Sequence, residues 1–333
     1  MSVWQKLRNT EKKLNYIGSK RKLANQIKNT IANVKADGVF CDLFAGTGAV
    51  AEKFGEYELL INDWEDYSYL VNLQKFGNFI PDNLAERIEH LNNVEPFHGF
   101  IAEHYSPHET SERMYYTYEN ACMIDAVRCE IEEICATEEE KQYLIALLIY
   151  ASDKVANTAS VYGAYLKNFK NTALSPLTLV EATKYSHSAQ VFSEDANELI
   201  KRIEGDIVYI DPPYNTRHYG SNYHLLNTIA NYEEFEPKGK TGLPEYKKSS
   251  YCSKVKIRPA FSNLIENLSF EHIFISYNDE GILLQEDFRD ICVSFGDFSE
   301  FVLDDNYQRF KADSSRSQKQ LTTTEYLFYV HKS

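Results

Sequence analysis

DIVYIDPPYNTRHYG, residues 206–220, runs an apolar strand into an acid, two prolines and a tyrosine. Proline has no N–H and a fixed φ, so a pair cannot extend a ladder inside a sheet. The pair can hold the chain rigid as it leaves the strand's carboxyl edge. Asp211 and Tyr214 would then point in defined directions, at the edge where open α/β sheets place their ligands. Six further short runs supply the rest of a sheet: GVFCDLF (38–44), YELLIND (57–63), AQVF (189–192), HIFISY (272–277), FSEFVLD (298–304) and TEYLFYVH (324–331). The runs at 38, 57 and 206 lead into polar residues and then helical patterns, the βαβ rhythm of a largely parallel sheet. No helix stands between the last two, which predicts an antiparallel edge.

Between about residues 64 and 188 this rhythm stops. DNLAERIEHL, RMYYTYENACMIDAVRCEIEEIC and TEEEKQYLIALLIYASDKVAN read as consecutive amphipathic helices. Thr137 and Glu140 have the capping-box spacing that starts the third. The pattern gives two regions: 1–75 with 171–333 as an α/β catalytic domain, and 76–170 as a helical insertion. The longest apolar run, LIALLIYA (144–151), is too short to span a bilayer, and the N-terminus carries no apolar signal core, so a cytoplasmic protein without membrane contact is expected. Six cysteines without a C-x-x-C pair read as thiols rather than a disulfide frame or zinc site. His104 and His108 have Pro107 between them and no evident third ligand, and no metal is expected.

A formal charge of −14 argues against a molecule coated in positive field, but a local patch can still serve phosphate. From Glu236 to Arg258 seven bases (Lys238, Lys240, Lys247, Lys248, Lys254, Lys256, Arg258) face two acids, Glu236 and Glu245. A second basic run carries Arg309, Lys311, Arg316 and Lys319. Charge alone fits a nucleic-acid surface and a solvated loop equally.

CDLFAGTGAVAEKF (41–54) places a glycine turn between a strand and a helix, and Asp63 ends the next strand. Gly46 and Gly48 let the backbone approach a ligand, and a carboxylate at Asp63 can take both hydroxyls of a ribose. Gly46 to Ala51 also fits G-x-G-x-x-A, so a nicotinamide dinucleotide, the adenosine of S-adenosylmethionine, and a turn without ligand all remain open on this segment.

The residues at 211–214 separate them. Methyl transfer to an exocyclic amine is an in-line displacement by a weak nucleophile whose lone pair is delocalised into the base. Two acceptors on its N–H bonds hold the nitrogen towards tetrahedral geometry and offset developing positive charge. A carboxylate at Asp211 and the carbonyl of Pro212 can do this if the prolines fix the turn, and Tyr214 can stack on the base.

With those motifs in order, the sequence resembles the Dam-like, amino-directed DNA adenine methyltransferases over most of its length. NYIGSK looks like the first cofactor motif, with Tyr16 near the adenosyl group, where some relatives carry Trp, and Lys20 reaching towards the site. FCDLFAGTGAV, with Asp42, Phe44, Gly46 and Gly48, looks like the glycine motif; Asp63 looks like the ribose acid, and Asp195 in SEDANELI the acid near the cofactor's adenine. DPPY is the family's catalytic motif: Asp211, Pro212, Pro213 and Tyr214, with Asp211 touching cofactor and target amine alike. The motif order is that of the subgroup whose recognition region lies in the middle. SVYGAYLK (160–167), NTRHYGSNYHLLNTIA and YQRFKADSS…TEYLFYV resemble a subset that includes methyltransferases paired with restriction enzymes.

The resemblance implies a Rossmann-like seven-stranded methyltransferase sheet with an antiparallel edge and a helical insertion. It implies S-adenosylmethionine as methyl donor, and a flipped-out adenine of double-stranded DNA as acceptor, for restriction-modification or DNA marking. The seven bases and the insertion are then the candidate DNA-reading surfaces, and a restriction endonuclease acting on the same site is a candidate partner. By chemistry alone the same acceptors serve the cytosine amine or an RNA adenine, and an inactive DNA-binding module is the reading from another class.

Overall fold

The computed structural model describes residues 14–308 and 322–332, so the basic run at Arg309, Lys311, Arg316 and Lys319 lies outside the described residues. Two compact units are present. One holds Ile17–Trp64, Ser186–Tyr219 and the described residues from Lys247 onward; the other holds Glu65–Tyr185, Gly220–Tyr246 and the described residues up to Tyr16.

The first unit is built on a sheet of β1 (Val39–Asp42), β2 (Glu58–Asn62), β3 (Ala189–Phe192), β4 (Glu204–Ile210), β5 (Ser269–Asn278), β6 (Gly296–Gln308) and β7 (Thr322–Lys332), in the order β3-β2-β1-β4-β5-β7-β6. β3 through β5 run parallel; β7 is antiparallel to both β5 and β6. All seven predicted strands are present, and the antiparallel edge is where the missing helix placed it. Ile207–Ile210 of β4 are buried between β1 and β5. Covered on both faces, they read as an unbroken apolar run rather than an alternating one. One face packs Val208, Ile210, Ile273, Ile275 and Phe328 against Leu199, Phe261, Leu264 and Phe288. These come from α7 (Ala196–Leu199), α10 (Ile257–Asn267) and α11 (Gln285–Cys292). On the other face Phe40 stacks on Phe54 at 3.8 Å, near α1 (Ala24–Val34).

The chain passes from β1 to β2 and β3 on one side, then returns to β4 and β5 on the other. The turns after β1 and β4 therefore flank a topological switch point. The helix expected after the glycine turn is absent. Gly46 and Gly48 adopt φ of +53° and +71°, which no right-handed helix accommodates. Only a single 3₁₀ turn, Ala51–Lys53, follows them.

The second unit is helical: α2 (Asp66–Phe76), α3 (Leu84–Leu91), α4 (Phe100–Tyr105), α5 (Tyr118–Ile134), α6 (Glu138–Val155) and α9 (His224–Asn231). The chain joins α9 to the sheet unit through α8 (Tyr219–Asn222). LIALLIYA lies in α6, buried throughout and packed by α2, α5 and α9. That explains its apolar character on every side, as a central helix rather than a membrane span. No helix among the described residues is long and apolar enough to cross a membrane. α5 starts five residues later than its pattern predicts. Thr117 caps it by accepting from Asn120 N–H, while the N–H groups of Tyr115 and Tyr116 turn to the Tyr105 carbonyl. At α6 Thr137 Oγ1 accepts from Glu140 N–H at 3.2 Å, as its spacing predicts, and the Glu140 carboxylate reaches Ala136 N–H at 2.8 Å. The unit extends beyond 76–170 on both sides and also takes in Gly220–Tyr246. All six cysteines are free thiols, four of them buried.

Candidate active site

Three acids stand at the carboxyl ends of adjacent parallel strands. Asp42 ends β1, paired in register with Tyr209 of β4; Asp63 follows β2; Asp211 follows β4. Asp63 accepts from Gly46 N–H at 2.8 Å, so its carboxylate and the glycine turn hold one another. Asp42 is 1% exposed. Its Oδ2 accepts from Ala51 N–H at 3.3 Å, and its Oδ1 is buried without a hydrogen bond among the described residues. Burial, then the neighbouring charges of Asp211 and Asp63, push the Asp42 carboxyl well above the usual range.

Asp211 is 14% exposed and meets Lys20 Nζ through Oδ1 at 3.0 Å. Burial raises its carboxyl to about 6, against the opposing pull of the Lys20 ammonium and with a further push from Glu325. The Tyr214 hydroxyl donates to the same Oδ1 at 3.0 Å, and Lys20 also contacts that hydroxyl directly. The ammonium lies 4.7 Å from the Tyr214 ring centre.

The loop itself is pinned from β5. Ile282 N–H donates to the Tyr214 carbonyl at 2.9 Å, and the Tyr277 ring meets the Tyr214 ring edge-on at 5.1 Å. Pro212 is buried behind this loop and Pro213 half-buried. The proline pair follows β4 at the sheet's carboxyl edge.

Sequence reasoning missed Glu325 and Asn278, which stand opposite one another on β7 and β5. Asn278 Nδ2 donates to Glu325 Oε1 at 3.3 Å, and Glu325 Oε2 lies 3.7 Å from Lys20 Nζ. The sequence carries little signal for them: in TEYLFYVH the acid alternates with Leu327 but also with Tyr329 and His331, so the pattern alone does not turn its charge inward.

The other expected residues divide. Phe44 packs edge-on against Tyr251 at 5.2 Å. Asp195 is exposed and caps α7, accepting from Asn197 N–H at 2.9 Å. Tyr16, in the helical unit, stacks on Tyr223 at 5.1 Å. In the loop following DPPY, Tyr223 and His224 are fully buried and pack the helical unit. All seven bases between 236 and 258 are exposed, but Lys238 and Lys240 belong to the helical unit and the other five to the sheet unit. Lys238 pairs with Glu245 at 3.0 Å, and Arg258 pairs with Asp287 and Asp290.

The glycine turn at one side of the switch point and the acid–proline–tyrosine turn at the other define a Rossmann-like methyltransferase. Comparison with known proteins agrees over most of the chain: residues 16–291 match the D12 class N6 adenine-specific DNA methyltransferases. The chain belongs to that family, and this excludes the nicotinamide reading of the glycine turn. It is 48% identical over 335 residues to the type II methyltransferase M.NlaIII of Neisseria lactamica, covering 96% of this chain and 100% of that protein. It is 39% identical over 333 residues to M.CviAII of Paramecium bursaria Chlorella virus 1, covering 96% and 98%. With M.FokI of Planomicrobium okeanokoites it shares 40% identity over 347 residues, spanning 96% of this chain but 53% of that relative.

Proposed function

We propose that the protein is the modification enzyme of a type II restriction-modification system, with a restriction endonuclease for the same site as its partner. On this reading it transfers a methyl group from S-adenosylmethionine to the N6 amine of an adenine flipped out of duplex DNA. The carrying observation is the half-buried Asp211 at the switch point, followed by the proline pair and faced by Tyr214. M.NlaIII and M.CviAII, which this chain spans over nearly their whole lengths, are type II methyltransferases.

The residues fit the donor. The glycine turn and Asp63 form a preset polar cradle, and the buried, unbonded Asp42 Oδ1 leaves an acceptor beneath that turn. Within the sheet unit Lys20, Phe44 and Asp195 complete the proposed cofactor set. When bound, S-adenosylmethionine supplies an electrophilic methyl on a sulfonium. The protein's part is to prepare the amine. Asp211 and the Pro212 carbonyl accept its two N–H bonds, turning the lone pair out of conjugation and offsetting the positive charge that grows on nitrogen. Tyr214 stacks on the base, worth about 1–3 kcal/mol and partly offsetting the cost of extruding it. The helical unit is the proposed target reader.

The test is incubation with mixed-sequence duplex DNA and methyl-labelled S-adenosylmethionine, digestion to nucleosides and mass spectrometry. Labelled N6-methyladenine is expected, with Asp211→Ala slowed at least about 100-fold. Full activity in Asp211→Ala would remove the catalytic assignment.

A further inference from the structure

Glu325 is 4% exposed, and its carboxylate is aimed by the sheet. Register places it opposite Asn278, whose amide holds Oε1 at 3.3 Å. The other oxygen, Oε2, is buried and makes no hydrogen bond among the described residues. Leaving a buried carboxylate oxygen unbonded is costly, and more so than for a neutral acceptor. Among the described residues the ammonium of Lys20 pairs with Oε2, its Nζ standing 3.7 Å away, outside hydrogen-bond distance but inside ion-pair range. That ammonium is instead drawn to the other side, onto Asp211 Oδ1 and the Tyr214 hydroxyl.

These are the groups that the target base must use on the reading given above, on which this inference rests. Asp211 must accept from the incoming amine while Lys20 and Tyr214 already donate to one of its oxygens. Tyr214 must offer its ring to the base while Lys20 holds its hydroxyl end. An ammonium cannot simply leave a site where it is 4% exposed and flanked by two carboxylates. It can move about 1 Å and exchange one carboxylate for the other.

We propose that Glu325 is a positioning residue: it receives the Lys20 ammonium when the adenine engages Asp211 and Tyr214. Lys20 then has two seats, an outer one on Asp211 and Tyr214 before the base arrives, and Glu325 Oε2 while it is bound. The charge stays in the site throughout, so it continues to favour the ionised Asp211, while the acceptor and the aromatic face are released to the substrate. Asn278 keeps the second seat from rotating away.

Removing the second seat should trap Lys20 on the first. Glu325→Gln is expected to lower kcat about 10- to 100-fold, the scale of an ångström-sized misplacement in a site. It should also shift the acid limb of the rate profile. Among the described residues the charged or titratable neighbours of Asp211 are Lys20 before α1, Glu325 on β7, Asp42 at the end of β1, Tyr209 on β4 and Tyr214 in its own loop. Of these, Lys20 lowers the Asp211 carboxyl and Glu325 raises it. A lysine held fast and a glutamate neutralised both act downward, so the limb moves to lower pH.

The decisive variant is the double one. Lys20→Met/Glu325→Gln should be no slower than Lys20→Met alone, because without the ammonium there is nothing to trap. Glu325→Asp, which keeps the charge but withdraws it by one methylene, should fall between wild type and Glu325→Gln. Should Glu325→Gln fail to melt as the wild type does, Asn278→Ala takes its place: a smaller loss, again suppressed by Lys20→Met. A Glu325→Gln defect that adds in full to that of Lys20→Met, or a limb that stays or moves up, overturns the proposal. Failure of the Asp211 reading is visible separately, as an acid limb that survives Asp211→Asn.

Discussion

At the scale of single residues, the chemistry turns on one carboxyl group in two roles. Asp211 must be ionised to accept an N–H bond, yet burial raises it to about 6. Its raised value places the change of state just below neutrality. Methyl transfer should therefore be flat above about pH 7 and fall as the pH drops through 6, where the carboxyl gains its proton. Lys20 opposes that rise, so Lys20→Met should carry the limb to higher pH; single-turnover rates from pH 5 to 9 report it. Asp211 and Tyr214 were legible because two prolines after an apolar strand have few other structural uses. Glu325 was not, because its partner is set by which strand β7 joins. Strand order is a non-local property: Glu325 lies more than a hundred residues from Asp211 along the chain and meets Lys20 only when β7 inserts beside β5.

Elements impose their own conditions on that site. The loop after β5 folds over Tyr277, whose hydroxyl accepts from Leu283 N–H at 3.2 Å, and the adjacent Ile282 N–H ties down Tyr214. Gly281 makes this possible by close approach: a β-carbon there would stand 1.9 Å from the Tyr277 ring. Tyr277 is 2% exposed and packed among Phe288 and Tyr214, so the ring has little room to yield. Gly281→Ala should cost about 1–3 kcal/mol by overpacking and slow methylation as the Tyr214 loop shifts. Denaturant unfolding and turnover on one preparation test both; wild-type values in each would deny the loop its supporting role. The strands were legible at this scale because each is a short run with its own apolar signature. The glycine turn misled for a local reason, since its sequence after Val50 suits a helix while two left-handed glycines upstream prevent one from starting. α4 escaped notice because six residues give less than two turns of periodicity, and its N-terminus is held from elsewhere in the chain. Asp125 of α5 accepts from Gly99, Ile101 and Ala102 N–H groups.

Across the whole molecule, a formal charge of −14 has to coexist with binding to a polyanion. Local basic side chains must outweigh the average field, and the structure distinguishes between them. Lys238 and Arg258 are exposed yet answered by acids, Glu245 for one and Asp287 with Asp290 for the other. Lys248, Lys254 and Lys256 are exposed, and among the described residues Lys247 reaches no acid but the Trp64 carbonyl, at 3.4 Å. A base whose charge is already balanced by an acid gains less from a phosphate, because the ion pair must be weakened first. Replacing Lys247, Lys248, Lys254 and Lys256 by Gln should then flatten the dependence of log K on log salt by about 0.9 for each lysine that contacts a phosphate. Affinity should drop alike on target and non-target duplexes, since phosphate contacts carry no sequence. Lys238→Gln and Arg258→Gln should change the slope less. Fluorescence anisotropy across a salt series measures all of these. An unchanged slope in the fourfold variant would move the DNA path away from this segment, and a slope change confined to target DNA would make these lysines readers of sequence.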